Sequence, residues 1–160
     1  MRVMSKIALA SAVLFAAGCS TMNSNSGPEM NAGYGAMRSG WNATLVTPSE
    51  LAGVMQLHGS AHWIRQDDNT STVQVMLSNA TSGGMHPWHV HYGRCGGNGG
   101  IVGSASAYPV LSVGSDGMAT AKATLPMAVA TTGEYYVNVH ASSSNMGTIV
   151  ACGNLAAPVQ

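Results

Sequence analysis

Two histidines one residue apart define the chemistry this chain could do. In Met85-His86-Pro87-Trp88-His89-Val90-His91, His89 and His91 are separated by two positions. On an extended strand that spacing puts both imidazoles on one face and sends Val90 into the opposite layer. A His-x-His pair on a strand offers two nitrogen donors to a borderline metal such as copper or zinc. The pair taken alone fits two solvated surface histidines equally well. His58 and His62, four apart, also share a strand face, at a span too long for an easy chelate, and read as solvated surface.

The elements that must carry these residues are strands. From Trp41 onward, eight candidates stand at about 41–47, 57–66, 71–79, 86–92, 108–113, 117–125, 134–141 and 148–155. Val73, Val75 and Leu77 alternate with Thr72, Gln74 and Ser78. Ala119, Ala121, Ala123 and Leu125 alternate with Thr120, Lys122 and Thr124, and Val137 and Val139 oppose Tyr136, Asn138 and His140. Turn chemistry separates the strands at Asp67-Asp68-Asn69, Ser82-Gly83-Gly84, Gly114-Ser115-Asp116-Gly117 and Thr132-Gly133. Past the N-terminal segment no stretch keeps a helical period for about ten residues. The pattern predicts an all-β domain, an eight-stranded sandwich or Greek-key barrel.

Ahead of this domain lies a targeting segment. Arg2 and Lys6 precede an apolar run from Ile7 to Ala17, too short to span a bilayer, which takes about 20 residues. It ends in Ala16-Ala17-Gly18-Cys19, which resembles the lipobox of bacterial lipoproteins. That resemblance implies cleavage after residue 18, lipidation of Cys19 and, with Ser20 following, anchoring at the periplasmic face of the outer membrane. Residues 19–40, rich in Asn, Ser, Gly and Met, read as a flexible tether, and 41–160 as the folded domain. The processed chain keeps Arg38, Arg65, Arg94 and Lys122 against six acids, a net charge of about −2. No clustered basic face exists for nucleic acid, and the lipid is the expected link to the membrane. With Cys19 lipidated, Cys95 and Cys152 remain, and in an oxidising compartment they are expected to pair. Closing a loop of about 57 residues contributes roughly 4 kcal/mol in the chain-entropy account.

The metal segment resembles the copper-ligand strand of copper/zinc superoxide dismutases, His-Gly-aromatic-His-Val-His. His86 takes the first position, Trp88 the aromatic, and His89 and His91 the two copper ligands, with Pro87 in place of the glycine. Tyr136-Val137-Asn138-Val139-His140 resembles the family's later strand, which ends in a third copper histidine. Ile149-Val150-Ala151-Cys152-Gly153-Asn154-Leu155 resembles its terminal Ala-Cys-Gly strand, whose cysteine pairs with one placed like Cys95. The resemblance covers roughly 41–157. It implies an eight-stranded Greek-key barrel of that family's type, with one copper ion on His89, His91 and His140. These would be the catalytic centre if the protein is active, and His86 would lie behind the ligands, fixing them by hydrogen bonding.

The departures from that pattern are as informative. The family's zinc ligands and bridging histidine lie in a long loop after the His-x-His strand, yet between His91 and His140 this chain has no histidine, and its only acids there are Asp116 and Glu134. Zinc is therefore not expected. The corresponding loop, roughly 93–107, is short and glycine-rich. The segment from Ala141 to Thr148 carries no charge, and Ile149 stands where the family has an arginine three residues before the cysteine. Superoxide, the substrate the resemblance implies, is steered by positive potential, for which Arg94 is the nearest candidate in sequence. Met85 and Met146 flank the histidines, and a thioether would favour Cu(I), although the chain has 11 methionines. The expectation is a copper-binding protein with weak catalysis or none; the alternative is a genuine copper-only dismutase.

Overall fold

The computed structural model describes residues 40–158. The expected signal segment 1–18, the lipidation site Cys19 and all but the last residue of the 19–40 tether lie outside the described residues.

Within them the chain is all-β. The strands are β1 (Trp41–Val46), β2 (His58–Arg65), β3 (Ser71–Ser78), β4 (Met85–His86), β5 (Trp88–Tyr92), β6 (Leu111–Ser112), β7 (Ala119–Leu125), β8 (Tyr135–Ser142) and β9 (Asn145–Leu155). Seven of them form one antiparallel sheet in the order β5-β8-β9-β1-β2-β3-β7, curled into a half-barrel. β4 and β6 pair separately as a two-stranded ribbon, with β4 beside β8 and β6 beside β7.

Period-two alternation produces this curl by giving each strand one apolar face. Val73, Val75 and Leu77 on β3 and Ala119, Ala121, Ala123 and Leu125 on β7 are buried, while Gln74, Thr120, Lys122 and Thr124 are exposed. Thr72 departs from the expected alternation: it is buried, and its hydroxyl donates to Gln66 Oε1 at 3.0 Å. The core also takes Leu45, Trp63, Trp88, Val90, Val137 and Val139. Burying each large side chain stabilises the fold by about 1.5–3 kcal/mol. Trp63 and Trp88 can be fully buried because their indole N–H groups donate to Ser71 Oγ at 2.9 Å and to the Pro109 carbonyl at 2.7 Å.

Turns form where side chains can satisfy the backbone. Asp67 Oδ1 accepts from the amides of Asn69 and Thr70 at 2.8 and 2.7 Å, which closes the β2–β3 connection. Gly117, with φ +75°, supplies the left-handed residue of the turn before β7.

Nine strands stand where the alternation predicted eight. The difference lies at Pro87, which has no amide hydrogen and ends one pairing. Before it, Met85 and His86 pair with Ser112 and Leu111; after it, Trp88–Tyr92 pair with β8. The expected strand at 108–113 is reduced to Leu111–Ser112, behind one turn of 3-10 helix at Ala105–Ala107. The last strand begins earlier than expected, at Asn145, because Ser143 and Ser144 turn the chain directly back from β8.

Candidate metal centre

Strand β8 assembles the site. In its antiparallel pairing with β5, His89 lies opposite Asn138, His91 opposite Tyr136, and Trp88 opposite Val139. Directly opposed residues share a face. Tyr136, Asn138 and His140 therefore join His89 and His91 on the face away from the core, while Val137, Val139 and Val90 fill the core. The expected alternation along β8 holds, yet Tyr136, Asn138 and His140 are themselves buried, because both faces of this strand are covered. Pro87 also contributes: its carbonyl accepts the His140 amide at 2.8 Å and fixes the end of β8 where His140 sits.

One ring nitrogen from each of His89, His91 and His140 lies within 4.8 Å of the other two. Metal–imidazole bonds of about 2.0–2.1 Å allow two ligating nitrogens to stand at most about 4.2 Å apart, so a small rotation closes the triangle. His89 and His140 are 7% and 6% exposed.

The opposite nitrogens determine which lone pairs are free. His91 Nδ1 lies 2.9 Å from the Gly99 carbonyl and His140 Nδ1 lies 2.6 Å from the Met146 carbonyl. A carbonyl only accepts, so both Nδ1 atoms carry the proton and both Nε2 atoms present lone pairs. His91 Nε2 is buried without a hydrogen-bond partner, and His140 Nε2 lies 3.3 Å from His89 Nδ1. His89, His91 and His140 could therefore hold a metal ion together, His91 and His140 through Nε2. Orientation of ligand imidazoles by backbone carbonyls is the usual support for a metal. His86 adds to it from behind, its Nδ1 donating to the His140 carbonyl at 3.0 Å.

The short glycine-rich loop after β5 completes the support. Only glycine fits at 99, where a Cβ would stand 1.6 Å from the Tyr92 carbonyl. That close approach aims the Gly99 carbonyl at His91. The loop is pinned by the Cys95–Cys152 disulfide, as expected, and by the Cys95 amide donating to Asn154 Oδ1 at 2.8 Å. Tyr136 stacks on His91, ring centroids 5.2 Å apart, and its hydroxyl donates to the Gly97 carbonyl at 2.8 Å. Tyr108 meets the His89 ring edge-on at 5.3 Å.

Burial shapes the electrostatics. Desolvation first, then the neighbouring His140 and His91, push His89 down to about 4. Desolvation also lowers His140, against the raising effect of its bond to Met146. Both rings are thus neutral at ordinary pH, the form that ligates. Arg94, considered as a source of positive potential, is instead paired with Glu134, its Nε donating to Oε1 at 2.9 Å.

The structure thus brings His89, His91, His140 and His86 together. Met85 is exposed, and its sulfur accepts from Ser112 Oγ at 3.3 Å. Met146 supports His140 through its carbonyl. His58 is exposed, and His62 is not simply solvated surface: its Nδ1 bonds Asn42 Oδ1 at 2.6 Å. Sequence reasoning missed Tyr136, Asn138, Tyr108 and the carbonyls of Gly99 and Met146. The first two were detectable, since alternation puts them on the face of His140; the carbonyls leave no signal in residue type.

No family model matches this chain, and no curated protein does. Three imidazoles converge, two of them buried and the third, His91, half-buried; carbonyls set the tautomers of His91 and His140, the Nε2 of His91 has no partner, and among the described residues no fourth His, Cys, Asp or Glu joins them. Three protein donors with an open position suit an exchangeable or reactive ion.

Proposed function

We propose that this protein binds one copper ion at His89, His91 and His140 and is a copper/zinc superoxide dismutase relative that lacks the zinc site, with weak dismutation or none. On this reading the half-barrel is that family's Greek-key barrel with shortened loops. The chain would be a lipoprotein held by Cys19 at the periplasmic face of the outer membrane, handling copper or oxidative stress there. The observation that carries the reading is the ligand set itself, three imidazole nitrogens within 4.8 Å on one face of β5 and β8. An all-imidazole set suits copper, and the order His89, His91, Cys95, His140, Cys152 is that of the family resembled.

Bound copper would supply one-electron redox chemistry at an open position. The residues would hold it rigidly: Gly99 and Met146 orient His91 and His140, His86 braces β8, and Tyr136 packs against His91. What the chain offers a substrate anion is meagre. Of the three cations among the described residues, Arg65 is paired with Asp68 and Arg94 with Glu134. Lys122 stands on β7, the strand at the other end of the sheet order from β5. Among the described residues no positive funnel faces the histidines, which favours slow turnover over fast.

A genuine copper-only dismutase is the second reading, favoured by the open coordination position. Superoxide decay measured with the copper-loaded protein, free copper and the His89→Ala, His91→Ala double variant separates the two. The first reading predicts a rate close to that of the double variant; a rate well above both controls establishes the enzyme.

A further inference from the structure

Two buried side-chain polar atoms have no hydrogen-bond partner among the described residues: His91 Nε2 and Asn138 Oδ1. Leaving a buried acceptor unpaired is costly, and such atoms are few in folded proteins. A metal accounts for the first. The second needs its own explanation, and the register supplies one.

Asn138 lies opposite His89 across the β5–β8 pair. His140 is two residues further along β8, on the same face, and His91 stands opposite Tyr136, two residues the other way. On the outer face Asn138, 7% exposed, thus has His89 beside it on β5, His91 diagonal to it, His140 two residues on along β8, and Cys152 beside it on β9. Asparagine is disfavoured in strands, and an apolar residue would fill this buried position at no polar cost.

We infer that Asn138 Oδ1 is a fourth donor to the metal, a neutral amide oxygen joining the three imidazoles from the floor of the site. Weak carbonyl or amide oxygen donors accompany nitrogen-rich copper sites elsewhere. A hard oxygen prefers Cu(II) to the softer Cu(I), so Asn138 would hold the oxidised ion more tightly and lower the reduction potential. This rests on the reading that His89, His91 and His140 hold copper.

The test compares the full chain with N138V, each given one equivalent of Cu(II) or Cu(I), with affinities from chelator competition. The inference expects N138V to lose about tenfold in Cu(II) affinity and to keep Cu(I) within about twofold. That ratio raises the potential by about 59 mV. Equal losses for both ions, or none, overturn it, since a merely structural asparagine would not distinguish oxidation states. If N138V does not fold, N138D decides. A carboxylate oxygen in the same place should raise the Cu(II) to Cu(I) affinity ratio at least about tenfold; an unchanged ratio overturns the inference. If the unmodified protein retains neither ion, the copper reading falls and this inference with it. If it retains copper and only the ratio fails to move, the fourth donor alone is wrong.

Discussion

At the scale of single residues, the centre depends on which nitrogen of each imidazole is free, and the backbone decides that. Because carbonyls fix His91 and His140, substitution of either ring should cost far more metal affinity than loss of an exposed histidine. His140→Ala is expected to weaken copper binding by at least the ~10–100-fold seen when supporting partners are lost, with His58→Ala as a control that changes nothing; chelator competition reads both. Gly99→Ala should behave almost as badly, since its methyl group would collide with the Tyr92 carbonyl and turn the Gly99 carbonyl away from His91. A Gly99→Ala protein with undiminished affinity would show that the loop does not orient His91. The His-x-His pair was legible because residue type and spacing carry it. The carbonyls of Gly99 and Met146 were not, since any residue has a carbonyl and only the folded loop aims it.

At the scale of elements, β5, β8 and the loop after β5 form one unit clamped by Cys95–Cys152. Removing the clamp with Cys95→Ser, Cys152→Ser should destabilise the protein by about 2–5 kcal/mol, measured by denaturant unfolding. It should also release the carbonyls of Gly97 and Gly99 from Tyr136 and His91, so copper affinity should fall together with stability. Affinity unchanged in a folded double variant would mean that the loop holds its place without the disulfide. The alternation of β3 and β7 was clear in advance because each has one solvated face. β8 followed the same alternation, but its burial on both faces was hidden, because a covering loop is a tertiary event. Pro87 stands out in the sequence as a departure from the resembled motif; its effect, splitting one expected strand between two partners, depends on β6 and β8 lying on either side.

At the scale of the whole molecule, the neutral histidines link folding to pH. His89 lies near 4 in the fold against about 6.5 when unfolded, and His140 is shifted the same way. Between those values the unfolded chain binds more protons than the folded one. Stability should therefore be full above pH ~6.5, decline as pH falls towards ~4, and level off below. Unfolding midpoints of the metal-free protein across that range check it, and His89→Ala should flatten the decline. The pairing of Arg94 and Arg65 with acids has a kinetic counterpart: any superoxide reaction should depend little on ionic strength, and Arg94→Ala should leave its rate unchanged. A rate that falls steeply with added salt would reveal a steering field these charges do not provide.

The most direct test of the central claim is electron paramagnetic resonance of the full chain with one equivalent of Cu(II), beside the His89→Ala, His91→Ala, His140→Ala variant. A single bound copper whose spectrum carries hyperfine coupling from imidazole nitrogens, absent from the triple variant, is the predicted result. Copper that stays unbound, or a spectrum the triple variant reproduces, would contradict the account.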